Sequence, residues 1–356
     1  MADRTENAWW SLLGEYAISH KHLRELIEQF EADFSPGDGG YRQLDGLTDP
    51  VQQAVVSDQI CLTSVAIRAN LVEARLHQRQ FAAIVGDDGA RYPTPETLKK
   101  TLRQGSEMDM AITGCTRALG SALDCLGAVG IGVLRMPYPI TSGSFRDIDR
   151  EMSPKVLATG SPKQQQLWSD LHKLCENHRK QPPDGWLDWL FGMRNLNVHR
   201  ARQARIRLQR MRDTDEPQLL VKTSEPEQIA KETARFDLHL RNRPGLPDMH
   251  DFITSPMTSD LWINEPATTT LPGIFEAVNA LVDEASQFLA SCWRYAGDSP
   301  TEFPPPVAKW KLHPPPWPSF DGIAPNATRF PVNYGAAGSQ IAKRLELAER
   351  LRQQKP

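Results

Sequence analysis

This chain has no charge excess, no long apolar run and no cysteine framework, and each absence excludes a class. Its 41 lysines and arginines stand against 44 aspartates and glutamates, a formal charge of −3, so it is neither polybasic nor disordered by charge. No 18 consecutive apolar residues occur: the best stretch, 118–136, is broken by Asp124 and Arg135, which argues against a membrane span. The opening MADRTENAWW has acids and no apolar core, so a secretory leader is not expected. Five cysteines (Cys61, Cys115, Cys125, Cys175, Cys292) are an odd number at irregular spacing. They read as reduced thiols in a cytoplasmic protein. HExxH, a GxSxG elbow, a GxxxxGKS/T loop and a Rossmann glycine run are all missing, so metalloprotease, serine-hydrolase, P-loop and dinucleotide chemistries find no support.

What is present is helical periodicity. Residues 6–33 carry it and SPGDGG at 35–40 ends it. Thr48 as N-cap and Pro50 open a long helix to about Val85, in which Val51, Val55, Leu62, Val65, Ala69, Val72 and Leu76 recur at helical spacing. A second long helix is expected over about 95–134, rich in glycine in its later part (Gly114, Gly120, Gly127, Gly130, Gly132). Glycine weakens helices, so such a cluster implies that another helix packs closely there. Residues 137–160 read as a linker with one short helix. Helices over 161–178 and from Asp184 to about Arg212 follow, then strand-like stretches at 217–224, 234–242 and 259–265. A last strong helix starts at Thr270, with Pro272 in its first turn. Ten prolines between 299 and 338, interleaved with Trp310, Trp317, Phe320 and Phe330, mark an extended tail that ends in a short charged helix. The expected architecture is therefore mainly α: a multi-helix up-down bundle with a small β insertion at about 217–265 and a proline-rich C-terminal tail. Its expected divisions are 1–47, 48–298 and 299–356.

Two constellations could carry chemistry. His172, Cys175 and His178 have HxxCxxH spacing, but no fourth ligand or paired CxxC accompanies them, so no metal site is expected. The second is a local charge anomaly. Between Asp188 and Asp213 there is no acid and no lysine, but seven arginines: Arg194, Arg200, Arg202, Arg205, Arg207, Arg210 and Arg212. Setting those seven aside turns the overall −3 into −10 for the remainder. Guanidinium forks grip phosphate bidentately, which makes RNA or another polyanion the natural ligand class. Within this stretch Arg194 and His199 form an R-x4-H pair. The broader R-x4-6-H pattern recurs only at Arg243 and His250, across a segment whose prolines and glycine preclude a helix.

The stretch FGMRNLNVHR, with Asn195 directly after Arg194 and His199 four residues further on, resembles the HEPN superfamily, whose ribonuclease members carry an R-x4-6-H motif often followed by a polar residue after the arginine. The resemblance implies an HEPN-like helical domain over 48–298 and a metal-independent endoribonuclease with no cofactor, a toxin, stress or phage-defence effector. It implies a homodimer in which two motifs meet in one basic cleft, with an antitoxin or other regulatory partner. His199 would act as general acid or base, Arg194 would hold the transferring phosphate, Asn195 would position it, and Arg200, Arg202, Arg205 and Arg207 would bind RNA. The 2′-hydroxyl of RNA supplies the nucleophile, so a proton acceptor, a proton donor and positive charge suffice, and the product is a 2′,3′-cyclic phosphate. The alternative is a non-catalytic HEPN-like module that binds RNA or a protein. One geometric constraint applies: residues five apart on an unbroken helix stand about 140° apart round its axis, so the helix begins or bends near Asn195 or the two residues serve different halves of a shared site.

Overall fold

The computed structural model describes residues 20–34, 44, 50–86, 95–199, 206–210, 217–223 and 261–304. They are mainly helical: α1 (Lys21–Asp33), α2 (Pro50–Gly86), α3 (Pro95–Leu134), α4 (Phe145–Asp149), α5 (Pro154–Leu157), α6 (Pro162–Arg179), α7 (Trp186–His199) and α8 (Ala267–Asp298). Three strands, β1 (Ile206–Arg210), β2 (Pro217–Thr223) and β3 (Leu261–Pro266), form an antiparallel sheet in the order β1-β2-β3. The expected strand at 234–242, the N-terminal part of the first helix and the tail beyond Pro304 lie outside the described residues. Two compact units divide the chain: unit 1 takes 1–72, 121–181 and 277–356, and unit 2 takes 73–120 and 182–276.

In unit 1, α1 and α8 are joined by aromatic packing. Phe30 and Phe34 meet Trp293 edge-on at 5.1 and 5.4 Å between ring centroids, and the Trp293 indole donates to Asp33 Oδ2 at 2.7 Å. Each fully buried ring contributes on the order of 2–3 kcal/mol by area. α6 starts at a reciprocal capping box: Gln164 N–H donates to Ser161 Oγ at 3.1 Å and Ser161 N–H donates to Gln164 Oε1 at 3.0 Å, with Pro162 in the first turn. Trp168 of α6 donates its indole N–H to the Leu134 carbonyl at 3.0 Å. α3 ends at that residue, followed by Arg135 in the left-handed region (φ 51°). Within α3, Ser106–Leu134 is long and apolar enough to cross a membrane, and 78% of its most apolar window is buried inside the protein.

The glycines of α3 do admit close neighbours, though not only helices. At Gly127 the neighbour is backbone, the Ser144 carbonyl and Phe145 amide at the start of α4; at Gly130 it is the side-chain ends of Ile148 and Leu171. The linker expected over 137–160 holds two short α-helices, α4 and α5, instead of one, and a 3-10 turn at Ile140–Ser142. α8 begins three residues before Thr270 and takes Pro272 inside the helix.

The largest departure concerns the arginine-rich stretch. It does not continue α7 to Arg212: α7 ends at His199 and residues 206–210 are strand. Ile206 and Leu208 alternate with Arg207 and Gln209, the period of two that suits a strand. β2 supplies the partner, with Ile206 opposite Val221 and Leu208 opposite Leu219.

Candidate functional site

The motif arginine belongs to unit 2, on α7. Trp186, Leu187, Leu190 and Met193 are buried, and their three-and-four spacing gives α7 its inner face. Arg194 follows Met193 and is half-buried. Its aliphatic stem runs over Gly120 of α3: a side chain there would overlap Arg194 Cδ and approach Nε to 3.1 Å. The missing Cβ at position 120 is what lets the stem lie against α3.

α7 continues without a break from Trp186 to His199. The helix therefore does not begin at Asn195, and on a regular helix positions 194 and 199 stand about 140° apart round the axis. One protomer does not turn both positions toward one phosphate from this helix. Asn195 and His199 take helical backbone here, and their side chains lie outside the described residues. Arg200, Arg202 and Arg205 also lie outside them. Arg207 is on β1 opposite Leu220, and Arg210 is opposite Pro217. The expected single arginine helix is thus corrected to a helix, an undescribed connection and a strand.

Around the same turns of α3, unit 2 gathers groups that the sequence pattern does not mark. The His77 imidazole of α2 occupies the space that a side chain at Gly114 would fill. Its Nε2 lies 3.8 Å from Glu73 Oε1, and Arg117 pairs with the same carboxylate oxygen. Gly114, Arg117 and Gly120 follow one another at steps of three along α3, each step turning about 60°, so they fan over about 120° of its circumference along about 9 Å of rise. That stretch meets the side chains of His77 and Arg194, and Arg117 on it pairs with Glu73, which also faces His77. One turn earlier, burial pushes the Asp109 carboxyl up to about 6, and its Oδ1 has no hydrogen-bond partner among the described residues. Arg75 donates to Gln78 Oε1 at 2.6 Å and stacks over the Phe275 ring at 5.1 Å.

The HxxCxxH residues serve separate neighbours in unit 1. His178 Nε2 lies 2.7 Å from Glu284 Oε2. Burial raises the Cys175 thiol, with Asp149 adding to the effect, and His172 Nδ1 is buried without a hydrogen-bond partner among the described residues. No three histidine, cysteine, aspartate or glutamate side chains among the described residues are grouped to hold one metal ion.

No family model matches the chain, and neither a curated protein nor a solved structure matches it.

The His77, Glu73 and Arg117 cluster had one sequence signal, the i, i+4 spacing of Glu73 and His77 on a long helix. Such pairs are common on solvated faces. Their meeting comes from the approach of α2 to α3, which the pattern of either helix alone does not specify.

Proposed function

We propose that the chain is an HEPN-type, metal-independent endoribonuclease that cleaves RNA through attack by the 2′-hydroxyl. The observation that carries this reading is the R-N-x3-H motif on α7, with Arg194 seated over Gly120 and followed on the same helix by Asn195 and His199. In this reading Arg194 holds the scissile phosphate and stabilises the charge that develops on it. His199 moves the proton, and Asn195 orients the arginine or the phosphate by hydrogen bonding. The unbroken helix favours two half-sites contributed by two copies, so the active form is a homodimer and RNA bridges its motifs. The helices form an HEPN-like up-down bundle into which the strands between 206 and 266 are inserted, and the proline-rich segment from 299 is appended to it. Within a cell such an enzyme acts in the cytoplasm as a toxin, stress or phage-defence effector, held in check by a regulatory partner.

The test uses matched RNA and all-deoxy oligonucleotides, each incubated with the full chain in EDTA. The reading expects cleavage of the RNA alone, and loss of about a hundredfold or more in rate in Arg194→Ala. Cleavage of the deoxy strand at a similar rate would remove the 2′-hydroxyl from the mechanism. The roughly 140° between positions 194 and 199 also favours a second reading, a non-catalytic module that binds RNA or a protein. RNA retained without cleavage, and released by raising salt, is its signature.

A further inference from the structure

The three strands of unit 2 sort their residues in a way that the motif on α7 does not use. Residues paired across an antiparallel sheet share a face, and successive residues along a strand alternate between faces. The registers of β1, β2 and β3 therefore divide the sheet into two sets. One face takes Ile206 and Leu208, Leu219 and Val221, and Leu261 and Ile263, with Arg210 and Glu265 toward one end. It is an apolar face of the kind that packs on a core. The other takes Arg207 and Gln209 from β1, Gln218 and Lys222 from β2, and Trp262 and Asn264 from β3, with Leu220 at its centre and Pro266 at one end. Among the described residues this second face has two cations and no carboxylate.

Three rows cross the second face. Arg207, Leu220 and Asn264 form the middle row, Lys222 stands opposite Trp262 in the row on one side, and Gln209, Gln218 and Pro266 form the row on the other. Rows follow one another at about 7 Å along the strands, and neighbouring strands lie about 5 Å apart. Two adjacent rows thus hold one cation each, and the indole is placed directly across from one of them. The alternation that gives the first face its aliphatic residues leaves this tryptophan among amides and cations, where core packing does not account for it. The surrounding sequence adds charge of the same sign: Arg200, Arg202 and Arg205 precede β1 and Arg212 follows it, with no acid between Asp188 and Asp213.

We propose that this second face is a platform for single-stranded RNA, on which Arg207 and Lys222 hold phosphates, Trp262 stacks on a base, and Gln209, Gln218 and Asn264 bond to base edges. Antiparallel sheets with this alternation cover the apolar face and leave the polar one to solvent, so the second face is the one a ligand reaches. An acidic peptide matches the two cations alone. A nucleic-acid strand also matches the indole, by stacking, and the amides, which carry both donors and acceptors. A duplex keeps its base faces stacked inside and offers the indole nothing. The choice of RNA over DNA rests on the proposed endoribonuclease; the platform itself involves neither Arg194 nor His199.

The test follows binding to the full chain by fluorescence anisotropy of a short labelled 2′-O-methyl strand, which 2′-hydroxyl attack does not cleave; a deoxy strand and a duplex of the same sequence are further arms. The platform predicts saturable binding that weakens about tenfold in Trp262→Ala and stays within about threefold of the parent in Trp262→Phe, which keeps an aromatic face. Arg207→Gln and Lys222→Gln each lower the slope of log affinity against log salt by about 0.7. In the NMR spectrum of the parent, the Trp262 indole resonance, assigned by its loss in Trp262→Phe, moves as the strand is added; this readout stands even where Trp262→Ala does not fold. An indole that does not move, a folded Trp262→Ala that binds as tightly as the parent, a duplex bound as tightly as the single strand, or displacement of the strand by an equal concentration of poly-glutamate overturns the proposal, the last pointing to an acidic protein. A deoxy strand bound more tightly than the 2′-O-methyl strand overturns the choice of RNA. Cleavage of RNA without these effects of Trp262 leaves the endoribonuclease and removes the platform; binding that depends on Trp262 without any cleavage leaves the platform and removes the enzyme.

Discussion

The sharpest structural prediction sets one substitution against itself at two places on α3. Alanine for glycine inside a helix gains about 1 kcal/mol of intrinsic propensity. At Gly130 a new methyl meets Ile148 Cγ2 and Leu171 Cδ2 at 3.4 Å, the ends of flexible side chains, so that gain survives and Gly130→Ala stabilises by about 1 kcal/mol. At Gly127 the same methyl overlaps the Ser144 carbonyl and comes within 2.6 Å of Phe145 N. This backbone is not free to retreat: Phe145 N–H donates to Asp124 Oδ1 at 3.1 Å, and Ser144 N–H donates to Asp147 Oδ2 at 2.9 Å. Overpacking against fixed backbone costs about 3 kcal/mol, so Gly127→Ala is destabilising by about 2 kcal/mol. The two variants therefore separate by about 3 kcal/mol. Urea denaturation followed by tryptophan fluorescence measures this as midpoints moved in opposite directions. If Gly127→Ala is as stable as Gly130→Ala, the close approach of the Ser144 segment to α3 is wrong.

Three further outcomes follow from the same structure. Burial raises Asp109 above its ordinary 3.8 to about 6, so its protonated form is favoured on folding; the corresponding stability is present below about pH 4 and lost as pH rises through about 6. Since the group is half-exposed, the cost at neutral pH is about 1 kcal/mol after solvent screening, and Asp109→Asn recovers it at pH 7 but not at pH 3 in denaturant titrations. Trp168→Phe removes the bond to the Leu134 carbonyl and leaves that acceptor buried, a loss of about 2 kcal/mol in unfolding free energy. Burial pushes the Cys115 and Cys292 thiols up to about 12 and raises Cys175, whereas Cys61 and Cys125 are only partly buried. A colourless-to-yellow disulfide reagent should therefore titrate Cys61 and Cys125 in the native protein and reach the other three only after denaturation.

Helices bounded by local chemistry were readable in the sequence. Pro50, Pro95 and the Ser161-Pro162 pair mark the starts of α2, α3 and α6 because caps and proline act within one turn. The end of α7 was not readable: Arg and Ala favour helix, so Ala201, Arg202, Ala204 and Arg205 extend the pattern, while the strand partner of Ile206–Arg210 is a separate segment, Pro217–Thr223. Arg194 was singled out by its motif, and the α3 glycines by their cost to a helix. What Gly120 and Gly114 accommodate, an arginine stem and an imidazole, depends on which helices meet α3. The side chains of His22 on α1 and Asp283 on α8 meet at 2.8 Å although they are 261 residues apart in sequence, a separation over which no pattern in either segment carries information.

The central claim is that His199 moves the proton in RNA cleavage, and product analysis of an end-labelled RNA in EDTA tests it most directly. The account predicts fragments with 2′,3′-cyclic phosphate ends from the parent chain, and a rate lower by about a hundredfold or more in His199→Ala with RNA binding retained. Cleavage by His199→Ala at the parental rate, or no cleavage by the parent chain, contradicts it.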